Sequence, residues 1–192
     1  SCFISMTNSR IIKYRNILPT ISDKALIADN ATITGDVTIA ENANIWYGCV
    51  IRGDVAPISI GAGTNVQDNS VIHVSRANHP ANKTGDLMAP TIIGKGVTIG
   101  HHALIHAATI DDYSFIGMGS IIMDLSHIEH EAMVAAGAVV TPKKHIKYGE
   151  IYAGNPARLL RKMSEEEIRY IKTSEQNYIE LALEYFSYYN SK

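Results

Sequence analysis

Cysteine is nearly absent from this chain of 192 residues: Cys2 and Cys49 stand alone, in no paired motif. Two thiols cannot build a disulfide framework, so a reducing compartment, the cytoplasm, is expected. Neither sign of charge predominates, with 17 Lys plus Arg against 19 Asp plus Glu. That balance removes the electrostatic case for nucleic acid or an acidic membrane surface, and a small neutral or anionic ligand fits better. No apolar run approaches the ~20 residues of a membrane span. Residues 1–15 lack a basic region followed by an apolar stretch, so no export signal is expected. The length suits one domain with a substantial core, with or without an added helix.

What the chain does have is a period. Aliphatic residues recur every six positions at Ile27, Ile33, Ile39, Ile45 and Ile51, then at Ile60, Val66 and Ile72 after a slip at residues 56–59. The series resumes at Ile93, Ile99 and Ile105, slips back by one to Ile110, and runs through Ile116, Ile122, Ile128, Val134 and Val140. Small or β-branched residues, such as Ala31, Ala43, Cys49, Ala103, Thr109 and Ala132, follow four positions later. A period of six matches neither the 3.6 of a helix nor the alternation of a lone strand. It matches a solenoid in which three units close a triangular coil and coils stack as parallel strands about 4.8 Å apart. Glycine and asparagine in the corner regions supply the unusual backbone angles of tight corners.

The expected organisation is an N-terminal segment over residues 1–26, a β-helix over 27–142 with a loop excursion at 75–90, and a C-terminal loop and α-helix over 143–192. Residues 142–147 read as a return loop. Ser164 with Glu167 forms a capping box for a helix whose apolar face includes Ile168, Ile171, Tyr178 and Ala182.

Stacking arithmetic converts positions into space. Arg52, His73 and His106 each follow an aliphatic residue, three units apart, and form one outward column. Asp68 and His101, each two places after theirs, form a second column across a corner. His73 and His106 thus converge from neighbouring coils, whereas His101 cannot easily join them within one chain. A homotrimer resolves this if the face bearing His73 and His106 packs against the neighbour's His101. The same packing brings Arg52 toward the neighbour's Asp68, a charge pair whose partial burial penalises loss of either partner.

Arg52-Gly53-Asp54, Gln67-Asp68-Asn69 with His73 beyond, and Gly100-His101 followed by His106 resemble the linked motifs of the γ-class carbonic anhydrase family, over essentially the whole chain. The resemblance implies a left-handed parallel β-helix, an all-β solenoid with a C-terminal α-helix, assembled as a homotrimer. It also implies a metal held by the residues matching His73, His101 and His106, zinc or else iron or cobalt. The residues matching Arg52, Asp54 and Asp68 would be structural at the interface, and those matching Gln67 and Tyr178 would orient water or bicarbonate. Three imidazoles leave an open coordination position, the layout of a catalytic zinc that activates water to attack carbon dioxide.

One departure concerns proton transfer. Fast members of the family carry shuttle glutamates, one directly after the residue matching Asp54, yet Val55 stands there and the excursion contains no Glu. His79 or Asp86 is the available substitute, and His79 has the better intrinsic pKa. Competing readings are a hexapeptide-repeat acyltransferase, and a metal-binding trimeric scaffold or hydrolase without carbonic anhydrase activity.

Overall fold

Each aliphatic of the six-residue series points into one narrow interior, and the backbone winds around it as a left-handed β-helix; a computed structural model describes residues 10–76 and 88–190. The coils stack in register on three faces. Ile33, Ile51, Ile72, Ile105, Ile122 and Val140 line up on the first. Ile39, Ile60, Ile93, Ile110, Ile128 and Ile146 line the second. Ile27, Ile45, Val66, Ile99, Ile116, Val134 and Tyr152 line the third. Nearly all are fully buried, and each such side chain contributes about 1.5–3 kcal/mol of burial.

The two slips in the period have a structural reading. Ala56 and Ala108 occupy the inward small positions, while Val55 and Thr109 are only half buried. The long strand Val50–Ile60 turns a corner between the first two faces and absorbs the first slip. The excursion leaves by an antiparallel stem, Ser75–Arg76 against Met88–Ala89.

The solenoid is longer than residues 27–142. Arg10–Ile12 pairs with Thr32–Thr34 and Thr20–Ile21 with Thr38–Ile39, so part of the expected N-terminal segment already belongs to the ladders. Residues 142–147 are not a return loop: His145–Ile146 pairs with His127–Ile128, and Ile151 with Met133. The spacing of Val140, Ile146 and Tyr152 keeps the period, and Pro142 merely occupies a corner, where no ladder hydrogen bond is required of it.

Most corners share one conformation. The residue three before the inward position of the repeat has positive φ at Asn42, Gly48, Gly63, Asn69, Gly96, His102, Tyr113, Gly119, Leu125, Glu131, Gly137, Lys143 and Gly149. Beyond the ladders, Arg158–Lys162 folds back on Glu150–Ala153 and leads into the helix Glu165–Asn190. Ser164 caps it reciprocally: Glu167 N–H donates to Ser164 Oγ at 3.2 Å and Ser164 N–H to Glu167 Oε2 at 2.8 Å. The helix lies on the third face, burying Ile171 and Ala182 and setting Tyr178, Tyr185 and Phe186 around Trp46. Among the described residues no helix is long and apolar enough to cross a membrane.

Two glycine substitutions separate corner conformation from close packing. A Cβ on Gly137 (φ 68°) meets nothing within 4 Å, so Gly137→Ala carries only the left-handed penalty, about 1 kcal/mol in urea unfolding. A Cβ on Gly61 falls 2.4 Å from the Gly94 carbonyl carbon. Gly61→Ala therefore displaces backbone and is expected to cost clearly more in the same assay.

Candidate metal centre

Four side chains from four successive coils descend the first face in the order Asp54, His73, His106, Asp124. The parallel register sets His106 directly beside His73, with ring centroids 5.1 Å apart and planes tilted by 57°. His73 Nδ1 faces His106 Nε2 at 3.1 Å. The remaining nitrogens turn outward to carboxylates, His73 Nε2 to Asp54 Oδ1 at 2.9 Å and His106 Nδ1 to Asp124 Oδ1 at 2.6 Å. Arg52 closes the upper end by pairing with Asp54 of its own chain. Thr91 Oγ1 donates to the His73 carbonyl oxygen at 2.5 Å, fixing the backbone where the excursion leaves and returns.

These contacts define the tautomers. An ionised carboxylate only accepts, so His73 carries its proton on Nε2 and His106 on Nδ1. The two facing nitrogens are then both lone-pair acceptors at 3.1 Å, a repulsive arrangement that a cation between them relieves. Burial, outweighing the Asp54 hydrogen bond, pushes His73 below its ordinary pKa. Burial also works against ionising Asp54, but hydrogen bonds from His73 and Arg52 prevail and hold its carboxyl below the usual range. Neutral imidazoles backed by carboxylates are the donor set of a divalent transition metal, and the two nearby negative charges suit its charge. The residues present therefore fit such an ion.

The other expected residues gather elsewhere. His101 projects outward from the corner beyond the third face, half exposed, with Nδ1 2.9 Å from Asp68 Oδ2. Asp68 Oδ1 also accepts from the Tyr47 N–H at 3.2 Å. Gln67 is buried beside it and donates from Nε2 to Asn65 Oδ1 at 3.1 Å. Tyr178 reaches the same region from the helix, its ring 5.8 Å from Trp46. Burial, with Asp68 and Tyr170 adding to it, pushes its phenol above the usual pKa, leaving an O–H donor at neutral pH. Among the described residues of one chain, no group of three or more His, Cys, Asp or Glu closes around a common point. His79 and Asp86 lie outside the described residues.

Other histidines offer a control. His127 and His145 also stack in register, with centroids 5.1 Å apart, but their planes are within 3° of parallel. Their Nε2 atoms bond Asp111 and Glu129 instead. His102 is exposed on a corner. Sequence reasoning missed Asp124, whose position two places after Ile122 matched no motif. It also missed an apolar stripe beside the histidines, Val50, Val71, Leu104, Ile121 and Val139, in register and partly exposed. The available signal was that, from Val50 onward, the residue before the aliphatic is itself aliphatic in every third unit.

Comparison with known proteins gives a consistent set of similarities. The family described as bacterial transferase hexapeptide (six repeats) matches residues 19–53. A carbonic anhydrase of Geobacillus kaustophilus is 41% identical over 170 residues, 88% of this chain and 87% of that protein. Gamma carbonic anhydrase 1, mitochondrial, of Arabidopsis thaliana is 48% identical over 85% of this chain, which spans only 58% of the plant protein's length. A solved hexapeptide transferase family protein from Anaplasma phagocytophilum superposes with a TM-score of 0.83 at 46% identity, covering 92% of this chain and 98% of its own.

Cys49 lies directly behind Gln67. It is buried, and its thiol donates to the Gln67 carbonyl oxygen at 3.1 Å. Burial, with the Asp68 charge adding, pushes it up to about 11 from 9.0. The native state thus binds this proton more tightly than the unfolded chain. The associated stability is present below pH 9 and is lost as the pH rises toward 11. In a Cys2→Ser background, folded protein is expected to resist iodoacetamide at pH 8 and to react only when unfolded, as mass spectrometry will report.

Proposed function

The chain belongs to the γ-class carbonic anhydrase family of hexapeptide-repeat proteins, and from that premise we propose that it is a homotrimeric metalloenzyme interconverting carbon dioxide and bicarbonate. In this reading His73 and His106 of one subunit and His101 of its neighbour hold zinc, with iron or cobalt as alternatives. The observation that carries it is the pair of bare imidazole nitrogens facing each other at 3.1 Å, each ring backed by a carboxylate. When bound, the metal supplies the Lewis acidity that makes water a nucleophile near neutral pH.

The chain's own residues do the rest. Among the described residues one chain contributes two converging imidazoles, and in this reading the third comes from another copy. The stripe from Val50 to Val139 beside them is an apolar surface of the kind that a second copy would cover. Packed there, the neighbour's corner would bring His101, Gln67 and Tyr178 to the histidine pair together. The Gln67 amide and the Tyr178 hydroxyl would orient the nucleophile and the bicarbonate oxygens. The exposed Arg52, anchored on Asp54, would extend to the neighbour's Asp68. Proton removal is assigned to His79, whose intrinsic pKa suits transfer near neutrality. A cytoplasmic setting remains the expectation from the scarcity of cysteine.

Acyl transfer is the second reading, favoured by the transferase description of the superposing Anaplasma protein. Such chemistry needs a histidine base and a coenzyme groove, and gives no reason for two histidines to present lone pairs to one another.

Stopped-flow hydration of carbon dioxide on protein loaded separately with zinc and, anaerobically, with iron tests the proposal. One metal per chain, a trimer by light scattering and activity reduced at least ~100-fold by His106→Ala or His101→Ala are expected. His79→Ala should slow turnover in weak buffer and recover in imidazole. Metal uptake without hydration in either form would leave the site standing and discard the reaction in favour of a hydrolase or scaffold. Acetyl-coenzyme A binding unaffected by His106→Ala would favour acyl transfer.

A further inference from the structure

We propose that Asp124 is a positioning residue of this centre, holding His106 in the tautomer that keeps Nε2 free for a metal; the inference rests on the metal-centre reading above. Asp124 Oδ1 lies 2.6 Å from His106 Nδ1, and the residue is 8% exposed. Its place is fixed by the solenoid. Ile122 stacks under Ile105, and Asp124, two residues on, rises beneath the His106 ring. The Asp124 carbonyl oxygen accepts from Lys143 N–H at 2.9 Å, tying that corner to the next coil. Leu125 N–H donates to the Ala107 carbonyl oxygen at 2.7 Å, so the backbone that carries the carboxylate is tied to the coils on both sides.

Histidine–carboxylate pairs recur along this molecule, and burial separates Asp124 from those on the second face. In His127–Asp111 and His145–Glu129 the acid side chains are 38% and 28% exposed, against 12% for Asp124. A solvated carboxylate beside a histidine costs little. One removed from water is incompletely compensated by a neutral imidazole N–H. A cation on the opposite nitrogen of the same ring polarises that N–H and completes the compensation, which is how a carboxylate behind a ligating histidine raises its basicity and sets its orientation. Asp54 stands behind His73 in the same way, so the pair is braced from both ends of the column. Without Asp124 the His106 ring is free to put its proton on Nε2, where it would block the metal.

The test uses the full chain with Asp124→Ala and Asp124→Asn, each checked for folding by circular dichroism and thermal melting. In metal-free protein labelled with ¹⁵N-histidine, long-range proton–nitrogen spectra are expected to report the Nδ1–H tautomer for His106 in the wild type. They should report a mixture or the Nε2–H form in Asp124→Ala, a readout that loss of packing alone would not produce. Zinc affinity measured by chelator competition is expected to fall about 10–100-fold in Asp124→Ala, and by less in Asp124→Asn, which retains an acceptor. Tight zinc binding and an unchanged His106 tautomer in folded Asp124→Ala would overturn the inference and leave the metal reading intact. Failure of the wild-type protein to bind zinc, with His106→Ala no different, would overturn both.

Discussion

The parallel register that lays Ile105 against Ile72 and Ile122 is the constraint on which the candidate site depends. Adjacent coils are held about 4.8 Å apart by continuous backbone ladders, so a residue repeated three units later returns to the same spot one spacing away. His106 meets His73 for that reason alone. A shift of one residue would turn the outward column inward and drive imidazoles into the aliphatic interior. The buried isoleucines on either side make such a shift costly, and the core therefore fixes chemistry on the surface.

Electrostatics then decides what the histidine pair is for. Stacking alone does not set the geometry of a histidine pair: His127 and His145 have parallel rings and carboxylates on the same edge. At His73 and His106 the carboxylates stand at opposite ends of the column and the rings tilt, which turns two lone pairs toward one point. His101 and Asp68 wait at a different corner beside Gln67 and Tyr178. In the proposed assembly these are two halves of one site, and the apolar stripe between Val50 and Val139 is the surface that joins them. Binding and assembly are then a single problem, because neither half is complete alone.

Reading from sequence succeeded where a residue's place follows from counting and failed where it depends on local geometry. The period located Arg52, His73 and His106 in one column and Asp68 with His101 in another. It did not locate Asp124, because which carboxylate meets an imidazole depends on the rise of a coil and the path of a corner. The solenoid was cut short at residue 142, where a return loop was expected, whereas Pro142 sits at a corner and interrupts no ladder. Corner glycines were legible, but Tyr113, Leu125, Glu131 and Lys143 adopt the same left-handed conformation without any compositional mark. At these corners the path of the stacked coils, rather than the side chain, sets the conformation.

By itself, the sequence determined the solenoid, the three-face stacking and the separation of the histidines into two columns, since these follow from a fixed repeat and the spacing of hydrogen-bonded strands. Only the tertiary structure decided which nitrogens face one another and which carboxylates hold them there. Those depend on side-chain direction and burial at corners, where chain contacts distant in sequence, rather than the repeat, set the geometry.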